Sequence, residues 1–322
     1  MNRATIISLS LIAAIALLVP AVITDSYSMH VLIICLVFAV VASNWDLSMG
    51  HAGVFNFAHL AFFGVGAYTS GILAKLFGLS PWLGLFLGGF AAVLTSLLIG
   101  LPTLRLRGMY VAIFTFAFTQ VLLSLVLIWS DLTGGSFGLS DIPPLQIGSV
   151  VFAGANKVAV YYLLLAIFLI STCAIYVVVR SSVGLAFVTL RDSQDYAVSR
   201  GISAYRYRLI AFVVSSFFTG VIGAFYAHYL EVVTVEIFGW NILSLALAMV
   251  IVGGLGTTRG PIIGAFFMTL VSEYLRSFFA YRLLLVGIIL FLVLVFAPGG
   301  IDSLARSGIR RSRKLLGFFA KR

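Results

Sequence analysis

Charge is scarce in this sequence: 9% of its 322 residues are Asp, Glu, Lys or Arg, against ~25% in a soluble globular protein. With 62% of the residues hydrophobic, a water-soluble domain could neither hide its apolar side chains nor stay dissolved. Cysteine is almost missing as well. Cys35 and Cys173 both lie inside apolar runs, where they read as small hydrophobes rather than as a disulfide or a metal site. No phosphate-binding loop of the form GxxxxGK[ST] occurs, no HExxH, and no plausible pairing of a nucleophile with a base. Nucleotide hydrolysis and other enzymatic chemistry are therefore not expected, and no cofactor or metal is implied. Ionisable groups within apolar runs, the mark of ion-coupled transport, are few: His59, which reads as a hydrogen-bonded histidine at a helix contact, and Glu273, three residues before Arg276 and so on its helix face.

What the chain has is apolar length. At ~20 residues per crossing of a ~30 Å hydrocarbon core, it has room for about ten transmembrane helices. They are expected near 5–24, 30–48, 53–75, 82–101, 109–129, 158–179, 209–230, 241–256, 261–276 and 283–297. The fold class is thus an all-α polytopic membrane bundle, one transmembrane domain over 1–322 with no soluble domain at either end. The first apolar run is expected to remain as a helix rather than be removed as a signal peptide. Gly253-Gly254-Leu255-Gly256 and Gly260-Pro261 interrupt the stretch between the eighth and ninth helices, either as a tight turn or as a re-entrant break.

The net charge of +10 does not point to nucleic acid, because the basic residues sit at the ends of apolar runs and in a tail at 306–322. Ten crossings put Lys75, Lys157, Arg276 and Arg282 on one side and the remainder of the 20 Lys and Arg on the other. The Lys/Arg-rich side is cytoplasmic, so both termini are expected there. The loop at 180–208 lies on that side and mixes charge with helix-compatible residues, with Asp192, Tyr196 and Ala197 near one face and a stop at Gly201; a short surface helix is expected. On the other side, 130–157 is rich in Gly and Pro and reads as a turn-rich excursion.

Small residues recur four apart, as in Gly66/Ser70, Ala67/Gly71, Gly84/Gly88, Ser216/Gly220 and Gly260/Gly264, the spacing that lets helix backbones approach closely in lipid. Polar residues and glycines also interrupt the segment from Asn44 through Gly50, His51, Gly53, Asn56 and His59 to Gly64, Gly66 and Tyr68. Irregular backbone at membrane depth survives only where protein or a wet cavity satisfies it, and broken helices of this kind point to a transport pathway.

The segment Asn44–Gly71 resembles the pattern N-x-x-x-G-x-x-G-x-x-x-x-x-H-x-x-F-x-G-x-G-A-Y of the permease subunits of branched-chain amino acid ABC transporters, shifted locally by Asp46 and Met49. Leu104-Arg105-Leu106-Arg107-Gly108-Met109-Tyr110, Leu132-Thr133-Gly134-Gly135-Ser136-Phe137-Gly138-Leu139, Arg191-Asp192 with Ala197 and Gly201-Ile202, and Val252-Gly253-Gly254-Leu255-Gly256-Thr257 with Gly260-Pro261-Ile262-Ile263-Gly264-Ala265 match in order. The outer-loop motif and the length are more like the M-type permease of the Liv system than its H-type partner. The resemblance implies a subunit of an ATP-driven importer in the bacterial inner membrane. Its implied partners are a sister permease, two cytoplasmic ATP-binding subunits and a periplasmic binding protein that carries most of the selectivity. It further implies a pathway drawn from Asn44, Gly50, Gly53, His59, Gly64, Gly66 and Tyr68. Docking on the ATPases falls to Arg191, Asp192, Asp195, Ala197, Gly201 and Ile202, with Ala197 and Gly201 as the A and G of the family's EAA-type loop. Tyr196, Ser199 and Arg200 depart from that loop's usual small and acidic residues. Permeases for urea, short-chain amides or a sugar share such packing, and a stand-alone secondary transporter is the remaining alternative.

Overall fold

The computed structural model describes residues 25–303 apart from 104–105, 107, 149, 155, 277–280 and 298, together with Val19 and Pro20. The expected first helix at 5–24 and the basic tail at 306–322 lie essentially outside the described residues. Eleven helices are named here: α1 (Ser26–Asp46), α2 (His59–Phe77), α3 (Pro81–Thr103), α4 (Met109–Ile128), α5 (Lys157–Arg180), α6 (Ser182–Asp192), α7 (Gln194–Ser199), α8 (Ala204–Leu230), α9 (Trp240–Gly253), α10 (Gly260–Tyr274) and α11 (Arg282–Phe296). Among the described residues seven helical stretches are long and apolar enough to cross a bilayer: Ser26–His51, α2, α3, α4, α5, α8 and Leu283–Ser303. The chain is a multi-pass membrane protein.

Local chemistry sets the ends. Asp25 caps α1 by accepting from the Ser28 N–H and hydroxyl, both at 2.9 Å, and those donors hold its carboxyl below the usual carboxylate range. At its far end α1 widens into a π-turn over Leu47–His51, where the Ala52 N–H reaches back five residues to the Leu47 carbonyl. The third expected helix starts at His59 rather than at 53. Gly53 adopts φ +70°, and the Asn56 side chain bonds the backbone at Val54 and Ala58, so 52–58 runs as irregular chain.

The eighth and ninth expected helices are the short pair α9 and α10, of 14 and 15 residues, about 21 and 22 Å long. Gly254–Arg259 is a turn between them. A Cβ on Gly264 would fall on the Met249 carbonyl, so the two helices touch backbone to backbone. At one end the turn meets Asp46, and at the other Glu273 meets Tyr27. The hairpin therefore runs the depth of α1, and the glycine interruption is a turn at one face.

The centre is a seam of α2, α3 and α8. Gly66 lies against the backbone of Gly220, Gly88 against the Gly66 carbonyl, and Gly84 against Ser70; three of the five four-apart pairs, Gly66/Ser70, Gly84/Gly88 and Ser216/Gly220, come together here, while Gly260/Gly264 packs within the α9–α10 hairpin and Gly71 faces Leu139 and Ile142. Phe62, Phe212 and Phe225 fill the space around the seam. By contrast, only 22% of the apolar window of α4, the same share of α5 and 18% of the last span is covered, leaving side chains such as Ile113, Ile170 and Phe291 as an apolar outer skin.

Residues 130–157 carry more order than a string of turns. A hairpin, β1 (Leu145–Ile147) with β2 (Val150–Phe152), pairs Leu145 with Phe152. Leu139 bridges Val233 in both directions at 2.8 and 2.9 Å, and Lys75 and Trp82 donate to the carbonyls of Ser140 and Gln146.

Candidate functional site

The loop at 180–208 forms two helices rather than one. Ser181 caps α6 through the Val183 N–H, and Ser193 caps α7 through the Tyr196 N–H. Asp192 closes α6 while Tyr196 and Ala197 belong to α7, so the three do not share a helix face; Tyr196 is exposed and Ala197 buried. At the end of α7 the Ile202 N–H returns to the Ala197 carbonyl at 3.0 Å across Gly201 at φ +82°, the glycine-terminated stop the sequence indicates. Asp192, Asp195 and Gly201 are exposed and Ile202 is half-buried.

Arg191 connects this segment to the interior. Its Nε donates to Asp192 at 3.0 Å, and its Nη1 donates to the Gly50 carbonyl at 3.0 Å. Gly53, at the start of the irregular chain, packs directly on the Arg191 backbone and stem. Gly50 in turn lies against Asp46 and the Gly256 N–H, leaving no space for a Cβ. Asp46 is 1% exposed; its Oδ1 accepts from the Gly256 N–H at 2.8 Å and its Oδ2 stands 3.5 Å from His51 Nε2. The π-turn makes this possible, because it rotates His51, five residues on, back over Asp46. On this face α6, the end of α1 and the α9–α10 turn thus share one polar junction. A cavity of about 280 Å³ opens beside it, bounded by Gly53, Phe55, Thr103, Gly108 and Gln194.

Deeper in, side chains of the surrounding helices bond the irregular chain. Thr115 on α4 accepts from the Phe57 N–H at 2.9 Å, and Thr119 donates to the Phe57 carbonyl at 3.4 Å. The Trp45 indole donates to the Asn56 carbonyl at 2.8 Å and stacks on His59 with centroids 5.5 Å apart. The Asn56 amide donates to Ser48 at 3.1 Å, and its Oδ1 accepts from His59 Nδ1 at 3.1 Å. Asn44 donates to Ser171 on α5 at 2.8 Å.

Of the residues singled out from the sequence, Asn44 and His59 meet in this buried set, and Gly50, Gly53 and Arg191 meet at the junction. Gly64, Gly66 and Tyr68 lie further along α2. Gly64 faces the Phe238 ring, Gly66 belongs to the glycine seam, and Tyr68 stacks on Phe238. The Asn44 Oδ1 and the Tyr68 hydroxyl make no hydrogen bond to any described residue. Reading the sequence passed over Asp46 and Gly256 as site residues; a lone carboxylate inside an apolar run was the available signal for the first. It also passed over His228, whose Nδ1 donates to the Pro143 carbonyl and whose Nε2 accepts from Ser70, both at 2.7 Å.

Comparison with known proteins bears on this arrangement. A model of the permease component of branched-chain amino acid transport systems matches residues 27–297. The chain is 26% identical to the high-affinity branched-chain amino acid transport system permease protein LivM of Salmonella typhimurium, over 88% of this chain and 72% of that protein. It is 27% identical to the LivM protein of Escherichia coli, over 85% of this chain and 70% of that one. No solved structure matches.

Proposed function

The chain belongs to the family of branched-chain amino acid transport permease components, and from that membership we propose that it is the M-type membrane subunit of an ATP-driven importer of branched-chain amino acids. It would work beside a sister permease, two ATP-binding subunits and a periplasmic binding protein, in the bacterial inner membrane. We place the α6–α7 face in the cytoplasm, since the Lys and Arg excess follows that side of the chain, and with it both termini. The chain supplies the conduit, and hydrolysis is assigned to the partners.

The observation that carries the reading is the placement of Arg191. It sits in a surface segment of two capped short helices, the segment 180–208, and it hydrogen-bonds the interior end of a spanning helix. A push on Asp192, Asp195, Ala197, Gly201 or Ile202 would reach α1 through these two short helices and the Arg191–Gly50 bond, which is what a docking segment for a motor requires. For the pathway we propose the Asn44, His59 and Tyr68 side chains, polar groups buried between helices. Gly50, Gly53, Gly64 and Gly66 are then the small residues that let the surrounding backbones lie close.

The test is ATP-dependent leucine uptake by vesicles holding the full complex. Deleting residues 192–200 is expected to abolish uptake while the permease still reaches the membrane; undiminished uptake would remove the docking assignment. Bulky apolar residues at Gly53 and His59 are expected to block uptake in an assembled complex; normal transport would take His59 out of the pathway and show the close approach of Gly53 to Arg191 to be dispensable.

A further inference from the structure

Asp46 is placed as no packing argument alone would place it. A carboxylate that is 1% exposed within an apolar helix has to be satisfied by nearby donors or it destabilises the fold. Here the donor comes from 210 positions away: the Gly256 N–H at 2.8 Å. The turn holds Gly256 at φ +71° and presents that N–H to Asp46. The same turn is braced internally, because the Thr257 hydroxyl donates to the Gly254 carbonyl and accepts from the Gly260 N–H at the start of α10. Holding Asp46 is therefore holding α9 and α10 together. On its other flank, Gly256 lies against Arg191 Nη1, which is bonded to the Gly50 carbonyl.

We infer that Asp46 is a positioning residue for coupling: seated on the Gly256 turn, its carboxylate ties the α9–α10 hairpin to the end of α1, so that both follow Arg191 when the α6–α7 segment moves. Without Asp46, Arg191 still pulls on Gly50 and hence on α1. The hairpin then follows α1 only through packing along its length and the Tyr27–Glu273 bond at the far end, and its turn no longer shifts with the junction. The inference rests on the docking role of α6–α7, and it assigns the receiving half of that role to residues outside the loop.

The complete transporter, with its ATP-binding subunits and binding protein in vesicles, tests this through leucine transported per ATP hydrolysed. Asp46→Ala is expected to lower that ratio about tenfold, with hydrolysis continuing and the KM for leucine unchanged. Asp46→Asn, which keeps an acceptor of the same reach for the Gly256 N–H, is expected to retain the ratio. Asp46→Glu, one methylene longer, is expected to fall between the two. Wild-type coupling in an assembled Asp46→Ala complex overturns the inference. Should Asp46→Ala fail to assemble, the other two decide: equal coupling in Asp46→Asn and Asp46→Glu, or loss in Asp46→Asn, overturns it as well. Failure of the docking reading looks different, because substitutions in α7 would then leave coupling intact along with everything downstream.

Discussion

The glycine seam at the centre and the polar junction at the α6–α7 face are both built where helices come close, and they are built in opposite ways. In the seam, backbone meets backbone: Gly66, Gly88 and Gly220 leave no room for even one carbon between α2, α3 and α8. Such a contact has a single fit and no adjustable part, so the three helices move together or not at all. At the junction Gly50 also lies close to the Gly256 backbone, but the hydrogen bonds are made by side chains reaching across to backbone groups, Arg191 to Gly50 and Asp46 to Gly256. Each can be lengthened, broken or exchanged without changing the helices it joins. A transport subunit needs both, a body that stays rigid and a joint that responds.

The largest effect that separates the two is expected at the seam. In Gly66→Leu the side chain has to displace the Gly220 backbone, and overpacking of that kind costs about 3 kcal/mol or more. The variant is expected to lose most of its monodisperse yield in detergent. A well-folded Gly66→Leu with an unshifted melting temperature would show the seam to be adjustable after all. Gly256→Ala is the matching change at the junction. Its φ of +71° disfavours a Cβ by about 1–2 kcal/mol, and the new carbon would press on Arg191 Nη1 and the Gly50 carbonyl. Here yield is expected to survive with a modestly lowered melting temperature, while uptake per ATP falls several-fold. The contrast fails if both variants lose stability alike or both keep their coupling.

The same division separates what could be read in the sequence from what could not. The seam was legible because its signal is local: Gly66/Ser70, Gly84/Gly88 and Ser216/Gly220 repeat at four and need only a helix to bring each pair onto one face. The Gly201 stop was legible for the same reason, and so was the Glu273–Arg276 pair, found at 3.1 Å. The junction was not, since nothing local says that Asp46 meets Gly256 or that Tyr27 meets Glu273 246 positions on. The start of α2 was misplaced because Val54, Phe55 and Phe57 extend the apolar pattern backward; the deciding groups, Gly53 in its left-handed conformation and the Asn56 amide bonding its own neighbours, act through geometry that hydropathy does not register. The hairpin at 145–152 has three-residue strands, too short for alternation to show.

The smallest expected effect lies on the motor-facing edge of the joint, at Gly201. It occupies the left-handed position after α7, with open space around it. Substitution there therefore tests backbone preference alone, with no steric term to confuse it. Gly201→Ala is expected to cost about 1–2 kcal/mol, confined to the last turn of a six-residue helix, so the melting temperature of the whole bundle should hardly move. Asn tolerates the left-handed region better than other side chains, and Gly201→Asn is expected to recover part of the loss. Hydrogen exchange at the Gly201 and Ile202 amides, which close the turn onto Val198 and Ala197, reads the difference directly. Protection should decrease in the order Gly, Asn, Ala. If Ala protects these amides as well as Gly does, the α7 end is held by contacts from a docked partner rather than by its own backbone, and the joint would then be shaped from outside the chain.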